Sequence, residues 1–227
     1  MATHEPNLSE RSEDAVIRSQ MERMVSSYDS YMKVVTLWRE RALREETLDL
    51  ARLAPNESCL EVGCGTGTLT LAARQRIGPA GRAAGIDVIP GMIDRCRDKA
   101  ARAALDISFQ VGSIDAIPFP AGEFDAVVGS FMIFHMSEPV RRRGIAEIHR
   151  VLKPGGRLLL LDMALPEEPA SRVVARALFG GMLQHEVQEL KPVLEASGYN
   201  DVELGRARFR VLGMSVLAFV RGRAEKS

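Results

Sequence analysis

Cys59-Leu60-Glu61-Val62-Gly63-Cys64-Gly65-Thr66-Gly67-Thr68 is the stretch on which the reading of this chain turns. The apolar run Ser58–Val62 reads as a strand, three glycines at alternate positions follow it, and a helical pattern runs from Thr68 to about Arg76. Glycine admits positive φ and lets a ligand approach the backbone closely. The N-terminus of the next helix offers unpaired N–H groups to a polar or negative group. The spacing is G-x-G-x-G, which differs from the G-x-G-x-x-G of a dinucleotide fingerprint.

Working outward, Asp87 ends the next predicted strand, 82–87, and stands 20 residues beyond Gly67. In a parallel sheet its carboxylate lies beside the glycine loop, where it can accept hydrogen bonds from both hydroxyls of a ribose. Capping of the helix that opens at Pro90 is the plain alternative. A third strand, 107–111, leads into Gly112-Ser113-Ile114-Asp115, on the side where an adenine would fall. Val88, Ile89 and Ile114 are placed to clamp such a ring or, equally, to fill core.

Further strands are expected at 124–130 and 157–162 and helices at 90–103 and 138–152, the last stopped by Lys153-Pro154-Gly155-Gly156. This alternation is the sequence form of repeated βα units. The tail departs from it, with helices at 170–182 and 186–197 and then two strand-like runs, 201–207 and 211–220, spaced for a hairpin. Residues 9–53 are helical in pattern, with Met21, Met24, Val25, Tyr28, Tyr31 and Met32 at three- and four-residue spacings, continued by Val34, Val35 and Trp38. The expected fold is α/β: a Rossmann-like seven-stranded, mostly parallel sheet with a C-terminal antiparallel hairpin and an N-terminal helical lid. Residues 1–54 form the lid or extension, and 55–227 the main domain with a helical insert at about 164–197.

Composition narrows the function. The chain has 227 residues, 30 Lys+Arg against 30 Asp+Glu, and 46% hydrophobic residues. Zero net charge argues against broad electrostatic binding to nucleic acid or anionic membrane, and Arg141-Arg142-Arg143 reads as a solvated helix face. Cys59, Cys64 and Cys96 make no C-x-x-C pair and read as free thiols of a reducing compartment. Four scattered histidines provide no metal-ligand spacing. The polar first 20 residues carry no secretory signal, and the apolar runs fall far short of the ~20 residues a spanning helix needs. A cytoplasmic protein is expected, without a membrane span or nucleic-acid partner and acting on a small molecule, as monomer or homodimer.

The chain resembles the class I S-adenosylmethionine-dependent methyltransferases, most of all the ubiquinone/menaquinone-biosynthesis type and its small-molecule relatives. The likeness rests on 60–67, on Gly85-Ile86-Asp87, on Ile117-Pro118-Phe119-Pro120 with Phe124-Asp125, and on 147–157, within 28–162. The resemblance implies S-adenosylmethionine as cofactor. Gly63 and Gly65, with Cys64 and Gly67 in the same loop, would pass beside its methionine moiety, and Glu61 would orient the loop or the amino group. Asp87 would hold the ribose, and Ser113 and Ile114, flanked by Val88, would meet the adenine. Ser130 would sit near the methionine amino group, and Tyr28 would close over that end. Family members often carry Asp where Ser113 stands; serine offers only a neutral, weaker acceptor, and the Ile114 N–H is the alternative.

The implied reaction is an in-line methyl transfer to a small, apolar or ring-bearing acceptor at O, N or C, driven mainly by proximity. His135, just past the fourth strand, is the candidate base. His185 and Asp162 are weaker ones, and His149 reads as structural. Phe131, Met132, Phe134, Met136, Phe179 and Met182, with Met21 and Met24, would line an apolar acceptor pocket or serve as core. Two rival readings are an NAD-dependent Rossmann oxidoreductase, since Asp87 also suits an NAD ribose, and a non-catalytic S-adenosylmethionine-binding interaction module.

Overall fold

The computed structural model describes residues 19–133, 136–180 and 187–225. The expectations for Phe134, His135, Met182 and His185 fall outside these residues.

The helices are α1 (Tyr28–Val35), α2 (Glu40–Leu50), α3 (Thr68–Ile77), α4 (Pro90–Arg102), α5 (Glu138–Val151), α6 (Pro169–Phe179) and α7 (Lys191–Ala196). The strands are β1 (Ser58–Val62), β2 (Arg82–Asp87), β3 (Ser108–Val111), β4 (Phe124–Ser130), β5 (Leu152–Met163), β6 (Tyr199–Arg206) and β7 (Leu217–Ala224). They form one sheet in the order β3-β2-β1-β4-β5-β7-β6. Neighbours from β3 to β5 pair in parallel, and β7 runs antiparallel to both β5 and β6. The expected architecture is therefore the observed one.

Both faces of the sheet are covered, so every position of the central β1 is buried. Alternation along β5 sorts the core: Leu158 and Leu160 pack under Ile145, Ile148 and Leu194, while Leu159 and Leu161 join Leu43, Leu48, Leu69 and Ala175 on the other face. Strand β1 pairs β2 on one side and β4 on the other. The crevice at the carboxyl ends of β1 and β4 is thus the switch point, where ligands of such sheets bind.

Several local expectations shift. Lys153-Pro154-Gly155-Gly156 lies inside β5 rather than before it, as a register shift in which Leu152 pairs Phe124 while Arg157 pairs Ala126. The link between β6 and β7 runs from 207 to 216 and is pinched by a bridge between Val211 and Met214. A 3-10 turn at Val187–Leu190 replaces the start of the last helix, because Pro192 can sit only in the first turn of α7. The N-terminal pattern breaks at Leu37 and Trp38, both at positive φ (51° and 58°). Trp38 is 74% exposed, so the apolar stripe there does not face the core, while Met32 on α1 does. Helix α2 packs into the core itself, through Leu43 and Leu48.

Candidate cofactor site

The glycine loop turns at three positive-φ positions, Gly63 (63°), Gly65 (51°) and Gly67 (78°). Gly67 shows why no side chain is tolerated: a Cβ there would stand 2.8 Å from Cys96 Sγ. One on Gly65 would meet the Tyr28 ring at 3.3 Å, and one on Gly63 the Met132 Cβ at 2.9 Å. The loop is therefore covered closely by α1 from one side and by the segment after β4 from another.

Asp87 stands where the parallel register puts it. Its Oδ2 accepts the Gly65 N–H at 2.9 Å, and its Oδ1 accepts the Ile89 N–H at 3.0 Å. The carboxylate thus ties the glycine loop to the residue that precedes α4.

Glu61 is 3% exposed and takes the hydroxyl hydrogen bond of Thr70. Burial pushes its carboxyl up to about 7, against the opposing effects of Thr70 and Arg44 and with a further push from Asp87. Burial likewise raises the Tyr28 hydroxyl to about 12, with Arg44 opposing and Asp87 and Glu61 adding. Tyr28 therefore lies within electrostatic reach of Arg44, Asp87 and Glu61 together.

Three residues of this corner have no part in the sequence reading. Asp29 on α1 accepts from the Thr66 hydroxyl (2.6 Å) and from Lys99 Nζ (2.8 Å), fastening α1 to the loop and to α4. Burial raises its carboxyl, and the Lys99 and Thr66 hydrogen bonds more than offset this, leaving it below the usual range. Arg44 on α2 is buried, pairs with Glu40 at 3.0 Å and reaches the Ser130 hydroxyl at 3.5 Å. Glu40 also accepts from Thr68 at the start of α3 (3.0 Å). Arg44 shares a helical face with Thr47, Leu48 and Ala51, and all are buried; spacing alone leaves Arg44 as one charge on that helix and does not show the contact with Ser130.

The segment after β3 is more mixed. Val88 is 36% exposed, but the Ile114 side chain is buried, its atoms within 3.0 Å of where a Cβ on Gly144 would be. That side chain is core, which leaves only its backbone facing outward use. Ser113 hydrogen-bonds the Asp115 carboxylate, and Asp115 pairs with Arg143 at 3.0 Å. A carboxylate is thus present two residues beyond the serine, attached to it.

Across the crevice, Phe131 follows β4 at φ 57°, a left-handed conformation that a bulky residue adopts only under constraint. Its N–H donates to the Leu161 carbonyl (3.0 Å), and Asp162 accepts from the Ile133 (2.9 Å) and Met163 (2.8 Å) amides. Asp162 is 1% exposed and holds backbone, so it is a positioning group and not a base. His149 is structural, bonding the Gly198 carbonyl at 3.1 Å and stacking edgewise on Tyr199. All three cysteines are free and buried. Among the described residues, no three His, Cys, Asp or Glu side chains converge to hold a metal ion, and no helix is long and apolar enough to cross a membrane.

The profile of a methyltransferase domain matches residues 59–156, which spans the loop, Asp87 and Ser130. The demethylmenaquinone methyltransferase of Symbiobacterium thermophilum is 30% identical over 152 residues, 66% of this chain; the match spans 60% of that relative's length. That of Deinococcus radiodurans is 32% identical over 192 residues, covering 85% of this chain and 73% of the relative. Among solved structures, the 4+2 cyclase SpnF superposes with a TM-score of 0.66 at 22% identity, over 82% of this chain and 81% of that one. The last likeness speaks to fold alone, and its name shows that the fold hosts more than one chemistry. The strand order also differs from the 3-2-1-4-5-6 of dinucleotide-binding sheets by the insertion of β7, which counts against an NAD-type reading. An identity of 32% sustained over 192 residues reaches far past a shared glycine loop, and the chain belongs to the class I S-adenosylmethionine-dependent methyltransferases, of the menaquinone/ubiquinone-biosynthesis-like type.

Proposed function

We propose that this chain is a cytoplasmic enzyme that transfers the methyl group of S-adenosylmethionine to a small, apolar, ring-bearing acceptor of the quinol class. The observation that carries the reading is the 2.9 Å contact between the Gly65 N–H and the Asp87 carboxylate, which joins glycine loop and acid into one unit. The names of the relatives support the quinol class, and the exposed apolar side chains Val173, Val174 and Leu178 on α6 agree with an apolar acceptor.

The residues present fit the cofactor. Asp87 offers carboxylate oxygens to a ribose, Glu61 and Ser130 offer acceptors to an ammonium, and the glycine loop lets the backbone approach closely. When bound, S-adenosylmethionine supplies a methyl group already activated on a sulfonium. The task left to the protein is alignment, which in favourable systems lowers a barrier by ~7–11 kcal/mol. The segment after β4 suits this: the Leu161 carbonyl holds the Phe131 N–H, Asp162 holds the Ile133 N–H, and Met132 packs onto Gly63. His135, two residues beyond Ile133, takes the proton from an acceptor hydroxyl.

Titration with S-adenosylmethionine and with NAD separates the cofactor readings; binding of NAD alone overturns ours. Release of S-adenosylhomocysteine is then measured against a panel of quinols, phenols and amines. Cofactor binding without turnover on any of them, together with a stable protein complex, would favour the non-catalytic module. His135→Ala lowers turnover by about 10²–10⁴-fold with a smaller change in acceptor affinity. Unchanged turnover removes His135 from the chemistry.

A further inference from the structure

We infer that Arg44 anchors the carboxylate at the amino-acid end of the cofactor, and so makes this site prefer a nucleoside carrying a full α-amino acid over one carrying a bare amine. The inference rests on the cofactor reading above and adds to it a specificity residue from α2, outside the stretch matched by the methyltransferase profile.

The starting point is an unbalanced group. The Arg44 side chain is 10% exposed, its Nη2 is paired with Glu40, and its Nη1 reaches Ser130 only at 3.5 Å. Its Nε is buried and has no partner among the described residues. A guanidinium has donors only, stays charged and forms its strongest hydrogen bonds with carboxylates and phosphates. Roughly nine in ten buried polar groups in proteins have a partner, and one that does not calls for an explanation. Glu40 does not provide it: its bond to the guanidinium goes to Nη2, and the same oxygen takes the Thr68 hydroxyl.

Location identifies the missing partner. Arg44 reaches Ser130, the last residue of β4, and its charge acts on Glu61, near the end of β1, and on Tyr28 above Gly65. It therefore stands at the switch-point crevice, beside the buried acid Glu61. A fixed cation and an acid side by side complement a ligand end that carries a carboxylate and an ammonium on one carbon, which is an α-amino acid. Asp87 complements the diol of the same ligand from β2. The Glu40 pair and the Thr68 bond hold the guanidinium in place before any ligand arrives, so less order has to be gained on binding.

The test compares two ligands that differ only in the carboxylate, S-adenosylmethionine and its decarboxylated form, by calorimetric titration of the full chain. Wild type should bind the first about 10–100-fold more tightly. In Arg44→Gln the first ligand weakens by about that factor while the second is unchanged, so that the preference vanishes. Arg44→Lys, which keeps the charge and loses the fork, retains part of the preference and serves if the glutamine variant does not fold. Equal weakening of both ligands, or an unchanged preference in the lysine and glutamine variants, overturns the anchor role and leaves the cofactor reading intact. Failure of wild type to bind either ligand refutes the cofactor reading instead.

Discussion

The glycine loop and the outer helical surface are built on opposite principles. Around the glycine loop, polar side chains close on one another over short distances: Asp87 on Gly65, Thr70 on Glu61, and Asp29 on Thr66 and Lys99. On the outer side, apolar side chains face solvent, with Val173 at 71% and Leu178 at 54% on α6, and Val34 at 57% and Trp38 at 74% near the end of α1. Directional hydrogen bonds select one ligand geometry, whereas apolar surface accepts many shapes of similar size.

The comparison breaks most readily at the loop. Gly65→Val combines a strained φ of 51° with a Cβ only 3.3 Å from the Tyr28 ring, and cofactor binding should be lost altogether in calorimetry. Near-normal affinity would show that the loop is not the cofactor corner.

Glu61 sharpens the contrast through pH. Its carboxyl is raised from 4.5 to about 7, chiefly by burial, so the folded protein holds a proton that the unfolded chain releases between these values. Stability therefore falls as pH rises from about 4.5 to 7 and is level above, an effect on the order of 3 kcal/mol at most. Glu61→Gln should remove this slope in thermal melts and be more stable than wild type at pH 8. The same change should weaken S-adenosylmethionine, whose ammonium favours the ionised acid. In wild type, affinity then declines as pH falls below about 7, and in the variant it does not. A wild-type melting curve without that slope contradicts the assignment.

Asp87→Ala removes the partner of the Gly65 amide and the proposed acceptor for the ribose, and should weaken the cofactor by about 10–100-fold. Asp29→Ala cuts the tie between α1 and the loop. As the side chain is about a third exposed, the expected cost is only ~1 kcal/mol in stability, present at neutral pH and lost in acid as the carboxylate protonates. On the outer helical surface, Trp38→Ser should change stability by less than ~0.5 kcal/mol. A larger loss in melting experiments would mean that this face is covered, and would blur the distinction between loop and outer surface.

The same contrast governs what was legible beforehand. Strand β4 and the boundaries of β1 and β2 agree with the pattern because apolar runs and glycine punctuation are local signals. The position of Asp87 followed from parallel pairing of β1 and β2 once the loop was identified. Arg44 and Asp29 were missed because each looks like an ordinary charge on an amphipathic helix, and only the packing of α1 and α2 over the loop turns them inward. The Trp38 stripe misled for the opposite reason: spacing predicts a face, and the break at Leu37 and Trp38 rotates that face away from the core.

By itself, then, the sequence determined the alternating α/β architecture, the hairpin at its end, and a glycine loop with an acid beside it, because periodicity and turn chemistry act between near neighbours in the chain. Tertiary structure alone decided which charges close the crevice, that Asp162 holds backbone, and that Ile114 turns into the core. Those outcomes depend on burial and on contacts between elements far apart in the chain, such as Arg44 with Ser130, 86 residues on. Periodicity carries no record of them.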